Sequence, residues 1–108
     1  MPRSFACPYL GSDVELTDER ESHIRAEHTD FVPFMDRIED VLREPETVRR
    51  SRRDPRTRLF SRWYDDVERG KYVMVAVVTD QPPSARRWIV TAYMAHRLTG
   101  GDVEWVSI

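Results

Sequence analysis

The stretch KYVMVAVVT, residues 71–79, is apolar at successive positions and predicts a strand that is buried on both faces. Such a strand lies in the middle of a sheet, because an edge or half-exposed strand alternates apolar with polar residues. The turn around Arg69 and Gly70 precedes it, and the loop DQPPS, residues 80–84, follows it. A sheet is therefore expected to form the core of the fold.

Further segments with the period-two pattern of strands surround this central one. They are ETVRRSRR (46–53), RLFSRWYDD (58–66), RRWIVTAYMAH (86–96) and DVEWVSI (102–108). In the RRWIVTAYMAH segment, alternation predicts an apolar face that includes Trp88 and Ala92, and a mixed face that includes Thr91 and Tyr93.

Two helical segments precede these strands. VELTDERESHIRAEH, residues 14–28, predicts a helix from about Asp18, with Glu21 completing a capping box. DFVPFMDRIEDVLREP, residues 30–45, predicts a second helix that has an apolar stripe and ends at Pro45. The element order predicts an α+β domain: two N-terminal helices packed on a four- to five-stranded antiparallel meander sheet. Residues 1–13 are expected to form an N-terminal arm, and residues 14–108 a single domain.

Composition narrows the class of protein. A length of 108 residues fits one domain, and the longest apolar run, residues 72–78, is far too short to span a membrane. The first residues lack the apolar segment of a signal peptide, so a cytoplasmic location is expected. The single cysteine, Cys7, excludes an internal disulfide and a multi-thiolate metal site, and its neighbour Pro8 suggests a position on a surface arm.

Charge is distributed unevenly along the chain. Residues 1–48 carry 5 basic and 12 acidic side chains, whereas residues 49–108 carry 12 basic and 7 acidic ones. Seven arginines cluster in the second part: Arg49, Arg50, Arg52, Arg53, Arg56, Arg58 and Arg62. Such a cluster suggests a polyanionic partner. Lys71 is the only lysine in the chain, and a bias of this kind can come from genomic base composition. The preference for arginine over lysine is therefore not evidence of function.

The stretch HIRAEH raises the question of a metal site, because it contains both His23 and His28. Five positions on a helix separate two side chains by roughly 140°, so one helix does not present both to a single ion. Neither a metal nor another cofactor is expected, since the chain also lacks a glycine-rich phosphate loop. Acid–base chemistry remains open: Ile24 marks the buried side of the helix and places His28 nearer the sheet than His23. The alternative is that His28 is a structural or capping residue.

The order of these motifs resembles the phage- and toxin-associated branch of the barnase–EndoU–colicin–RelE nucleases, known as the BECR fold. The resemblance rests on LTDERESHIRAEH, VLREPETVRRS, RLFSRWY, KYVMVAVV and WIVTAYMAHRL, and it covers residues 14 to about 105. It implies a small metal-independent ribonuclease, often a toxin or a module of a mobile-element protein.

The resemblance also implies roles for individual residues. The second histidine of the helix motif falls on His28, the threonine and tyrosine of the sheet signature fall on Thr91 and Tyr93, and the basic strand position falls on Arg62. One departure is Glu27, which occupies a position that is often basic in relatives.

A metal-free ribonuclease uses the 2′-hydroxyl of RNA as the nucleophile and needs a base, an acid and positive charge. We expect His28 to act as base or acid, with Tyr93 or His96 as the second proton carrier. Arg58 and Arg62 would stabilise the developing charge and Thr91 would bind phosphate. Arg49, Arg53, Arg58 and His96 are the expected RNA or phosphate contacts. Each of these side chains also has a purely structural interpretation, such as pairing of the arginines with acidic residues of the helices.

Two other functions remain open at this point. The same fold could be a catalytically inactive RNA-binding domain, which Glu27 favours. It could also be an interaction module that docks an antitoxin, an immunity protein or a mobile-element protein. In each of these interpretations the partner is RNA or a protein, and none of them involves a membrane.

Overall fold

The computed structural model describes residues 2–107, which form a seven-stranded mixed sheet, two short α-helices and one 3₁₀ helix. The strands are β1 (Arg3–Cys7), β2 (Ser12–Leu16), β3 (Thr47–Arg50), β4 (Thr57–Tyr64), β5 (Lys71–Thr79), β6 (Arg87–Ala95) and β7 (Asp102–Val106). The helices are α1 (Asp18–Glu27) and α2 (Arg37–Arg43), and the 3₁₀ helix between them spans Thr29–Phe34. The strand order is β1-β2-β6-β5-β4-β3-β7.

The expected four- to five-stranded antiparallel meander is wrong. Seven strands are present, and β2 runs parallel to β6, with Glu15 opposite Trp88, so the sheet is mixed. The two strands missed by the sequence analysis, β1 and β2, form an antiparallel hairpin at one edge of the sheet. The segment expected to be an N-terminal arm therefore contributes to the sheet, and Cys7 is buried rather than on the surface.

The central position of residues 71–79 is confirmed. Strand β5 is the fourth of seven, and every residue from Val73 to Val78 is buried. Its neighbours β4 and β6 both pair with it antiparallel along its length. The five strands expected from residue 46 onward are all present, although their bounds differ by a few residues.

The two helical segments differ in detail from the prediction. The N-cap of α1 is Thr17, whose side-chain oxygen accepts a hydrogen bond from the Arg20 amide at 3.2 Å, so the expected cap at Asp18 is off by one residue. The expected second helix divides into the 3₁₀ helix and α2. Pro33 lies inside the 3₁₀ helix, where it has no N–H to donate to the helical ladder.

The sheet is strongly curved. Seven flat strands at about 4.8 Å spacing would hold the outermost strands roughly 29 Å apart. Tyr9, in the loop of the β1–β2 hairpin, nevertheless has its ring 5.7 Å from that of Trp105 on the opposite edge strand β7. Helix α2 packs inside this curve against β1, β4 and β5.

A bulge in the β5–β6 pairing changes which residues of β6 face the core. The register shifts between Ala76 and Val77, so Val90 has no partner on β5. As a result, both Ile89 and Ala92 lie in the core. The strict alternation predicted for β6 is therefore wrong on the N-terminal side of the bulge. Within residues 2–107, no helix has the length and apolar character that crossing a membrane requires.

Candidate functional site

The residues predicted to form the site divide between the two faces of the sheet. We define the inner face as the one that contains Phe60 and Val75 and belongs to the core with α2. The outer face contains the alternate residues of the same strands, including Leu59 and Ala76. The placement of each predicted residue follows from its strand register.

Three predicted residues share the outer face. Arg49 is opposite Leu59, which is opposite Ala76, which in turn is opposite Thr91. Tyr93 lies two positions further along β6 and therefore on the same face. A guanidinium, a hydroxyl and a phenol thus belong to one surface of the sheet.

His28 joins this group from the end of α1. It is the C-cap residue of the helix, and its ring stacks on that of Tyr93, with centroids 5.5 Å apart and planes 29° apart. The ring of His23 lies edge-on to His28 at 6.4 Å. Helix α1 is held against β6 by a hydrogen bond of 3.2 Å from Arg20 Nη1 to the carbonyl oxygen of Val90. The imidazole and the phenol that were predicted to meet are therefore adjacent.

Two members of the outer-face group have buried polar atoms without hydrogen-bond partners among residues 2–107. They are Oγ1 of Thr91 and both Nε and Nη1 of Arg49, whose Nη2 donates to the carbonyl oxygen of Gly101 at 3.2 Å. Unsatisfied buried polar groups are rare in folded proteins, and these atoms keep hydrogen-bond donors available for a further partner.

Arg58 and Arg62 lie on the inner face and do not join this group. Arg58 Nε donates to Glu104 at 2.9 Å, and Arg62 Nη1 donates to the carbonyl oxygen of Glu44 at 2.8 Å. The prediction that Arg58 and Arg62 act together with His28 is therefore wrong, because alternate residues of a strand point to opposite faces and these two lie on the face away from Tyr93.

The remaining predicted residues lie outside both groups. Arg53 is exposed in the turn between β3 and β4, and His96 is exposed just beyond β6. Neither side chain forms a hydrogen bond or an ion pair with the part of the chain that the structure describes.

Carboxylates pair with part of the arginine cluster. Four of its seven members are paired: Arg50 and Arg58 with Glu104, Arg52 with Asp102, and Arg56 with Asp54. Burial raises the pKa of Glu104, but hydrogen bonds from Tyr9, Arg58 and Arg50 outweigh this effect and leave its pKa below the usual range. The segment is thus not one continuous cationic patch.

A second group of residues lies on the inner side of the sheet, and the sequence analysis predicted only Arg62 among them. Tyr9, Trp105 and Arg62 line a pocket of about 510 Å³ between the β1–β2 loop, the end of α2 and strand β7. Burial, together with the hydrogen bond to Glu104, raises the pKa of Tyr9. The residues are far apart in the sequence, so the curvature of the sheet alone brings them together.

Comparisons of the chain with models of protein families, with characterised proteins and with solved structures find no match. Among residues 2–107, no group of three or more histidine, cysteine, aspartate or glutamate side chains is arranged to hold a metal ion.

Proposed function

We propose that this protein is a metal-independent endoribonuclease whose reaction takes place at the outer face of the sheet. The observation that carries the proposal is the stack of His28 on Tyr93 at 5.5 Å. Thr91 and Arg49 belong to the same face and retain polar atoms without partners. A proton acceptor, a proton donor and groups that bind phosphate oxygens are thus available on one surface.

In this reaction the 2′-hydroxyl of RNA attacks the adjacent phosphorus and the bond to the 5′-oxygen breaks, which gives a 2′,3′-cyclic phosphate. His28 takes the proton of the 2′-hydroxyl, and Tyr93 donates a proton to the departing 5′-oxygen. Histidine suits the first role because it ordinarily titrates near neutral pH. Thr91 donates a hydrogen bond to an oxygen of the reacting phosphate, on which charge accumulates, and Arg49, three strands away across the sheet, binds a neighbouring phosphate of the RNA. DNA lacks the 2′-hydroxyl and is not cleaved.

The resemblance of the motif order to BECR-type ribonucleases supports this proposal, since it assigns the same residues, His28, Thr91 and Tyr93. On the same basis we propose that the protein acts in the cytoplasm and has a protein inhibitor or a mobile-element protein as its partner. Arg58 and Arg62 have no part in the proposed chemistry, because both lie on the inner face.

The test is cleavage of total RNA by the purified protein in the presence of EDTA, with the termini of the products analysed for 2′,3′-cyclic phosphate. We expect His28→Ala and Tyr93→Phe each to reduce the cleavage rate by about 10²–10⁴-fold, the usual contribution of a positioned acid or base. Tyr93→Phe keeps the ring that stacks on His28 and removes only the hydroxyl, so it separates chemistry from packing.

Tyr64→Phe is the matched control, because it removes a phenol hydroxyl that is buried on the inner face. It should leave the cleavage rate unchanged. Equal activity of the Tyr93→Phe and Tyr64→Phe proteins would contradict the assignment of Tyr93. RNA binding without any cleavage by the wild type would instead favour the inactive RNA-binding domain, because the phosphate contacts on this face do not depend on catalysis.

A further inference from the structure

The inner-side pocket of about 510 Å³ has the size of a small-molecule site and is separate from the outer face. The apolar and aromatic residues that line it are Pro8, Tyr9, Pro45 and Trp105. Arg62 lies at the same pocket and provides a cation. The proposed reaction uses none of these residues.

The aromatic wall of the pocket is fixed in place. The Tyr9 ring packs edge-on against Phe60 at 5.9 Å and contacts Trp105 at 5.7 Å with a tilt of 54°. The hydroxyl of Tyr9 donates to Glu104, which two arginines hold in turn. Trp105 nevertheless remains 38% exposed. A packed aromatic surface that is partly exposed to solvent is suited to stacking on another flat ring.

The guanidinium of Arg62 is positioned by one hydrogen bond and keeps further N–H donors without partners. Its Nη1 bonds to the carbonyl oxygen of Glu44 at 2.8 Å, and its guanidinium lies 6.0 Å from the centre of the Tyr64 ring. Among the residues that the structure describes, no carboxylate pairs with it, and its Nε and Nη2 make no hydrogen bond. Arg43, which also lines the pocket, is already paired with Asp40 at 2.9 Å.

We propose that this pocket binds one nucleotide of an RNA strand, with the base stacked on Tyr9 and Trp105 and the phosphodiester on Arg62. The choice of RNA over other flat anions rests on the proposed function. Glu44 also lines the pocket, and its carboxylate disfavours additional negative charge, so the singly charged diester fits better than a terminal phosphate. The pocket is thus a recognition subsite at a distance from the cleaved bond.

The test uses the DNA trinucleotide d(ApApA), which lacks the 2′-hydroxyl and therefore reports binding without cleavage. Binding is followed by NMR through the backbone amide signals of the pocket residues and the indole N–H signal of Trp105, which Trp105→Phe assigns. We expect the Trp105 signal to shift on titration, and Arg62→Gln and Trp105→Leu each to weaken binding by roughly 5- to 100-fold. Arg97→Gln, at an exposed arginine outside the pocket, should leave the affinity within about twofold.

Three results would overturn the subsite: an unshifted Trp105 signal, equal binding of an abasic trinucleotide, or equally tight binding of the aromatic acidic peptide Asp-Tyr. The proposed function fails separately. If the protein binds d(ApApA) but does not cleave RNA, the nuclease proposal is wrong and the subsite proposal is supported. If it cleaves RNA but does not bind d(ApApA) in the pocket, the subsite proposal is wrong and the nuclease proposal is supported. Unchanged far-ultraviolet circular dichroism of Arg62→Gln shows that the fold is retained.

Discussion

Gly101 precedes strand β7 in a backbone conformation that only glycine adopts easily. Its φ is +72°, and a Cβ built on it would lie 2.5 Å from the carbonyl oxygen of Arg50. Its own carbonyl oxygen accepts the hydrogen bond from Arg49 on the outer face. The residue therefore joins the start of β7 to β3 by close backbone contact.

Gly101→Ala should lower the free energy of unfolding by at least about 2 kcal/mol, because strain in φ adds to a clash with backbone that cannot move aside. The neighbouring Gly100 is the matched control: its φ is +82°, but no atom lies within 4 Å of a Cβ there. Gly100→Ala should cost only about 1 kcal/mol. Urea denaturation of the two variants measures the difference, and equal losses would show that the contact with Arg50 is unimportant.

Sequence reasoning predicted one contact between candidate residues and missed another for a physical reason. The approach of His28 to Tyr93 was predictable because Ile24 marks the buried side of α1 and the period of β6 places Tyr93 on its mixed face. The contact of Tyr9 with Trp105 was not predictable, since 95 positions separate Tyr9 from Glu104, its hydrogen-bond acceptor, and only the curvature of the sheet brings them together.

At the scale of secondary structure, helix α1 has little buried surface to stabilise it. Ile24 is its one fully buried residue, and short helices depend on caps and packing. Thr17→Ala removes the side-chain oxygen that accepts from the Arg20 amide and should cost about 1 kcal/mol of stability. Ser22→Ala, on the exposed surface of the same helix, is the control and should be neutral or slightly stabilising. Urea denaturation of both proteins tests this, and similar stabilities would argue against the cap.

The strands from residue 46 onward were predictable because each is bounded by turn residues and either alternates over several positions or, in the case of β5, is apolar throughout. The short strands β1 and β2 were missed because residues 1–13 were expected to form an arm, as Pro8 suggested. The alternation that buries Val14 and Leu16 was the available signal for β2. The parallel pairing of β2 with β6 had no local signal, since a single register position, Glu15 opposite Trp88, defines it.

Across the whole molecule, Glu104 connects parts of the sheet that are distant in sequence. Its carboxylate accepts from Tyr9 in the β1–β2 loop, from Arg50 on β3 at 2.8 Å and from Arg58 on β4 at 2.9 Å. These bonds join the hairpin at one edge of the curved sheet to strand β7 at the other. Because Tyr9 also forms the wall of the inner-side pocket, the same carboxylate shapes that pocket.

Glu104→Gln should therefore lower the free energy of unfolding at pH 7 by about 1–3 kcal/mol, because it leaves two guanidiniums without their counter-charge. The pKa of Glu104 is depressed in the folded protein, so its contribution is complete above its unfolded pKa of about 4.3 and disappears as the pH falls through the folded value. Urea denaturation at pH 7 and pH 3 should accordingly show a gap between wild type and variant that narrows in acid. Asp102→Asn is the control: its ion pair with Arg52 is largely exposed, so it should lower the stability at pH 7 less than Glu104→Gln does. A gap for Glu104→Gln that persists at pH 3 would mean that packing of the side chain, and not its charge, holds the two edges together.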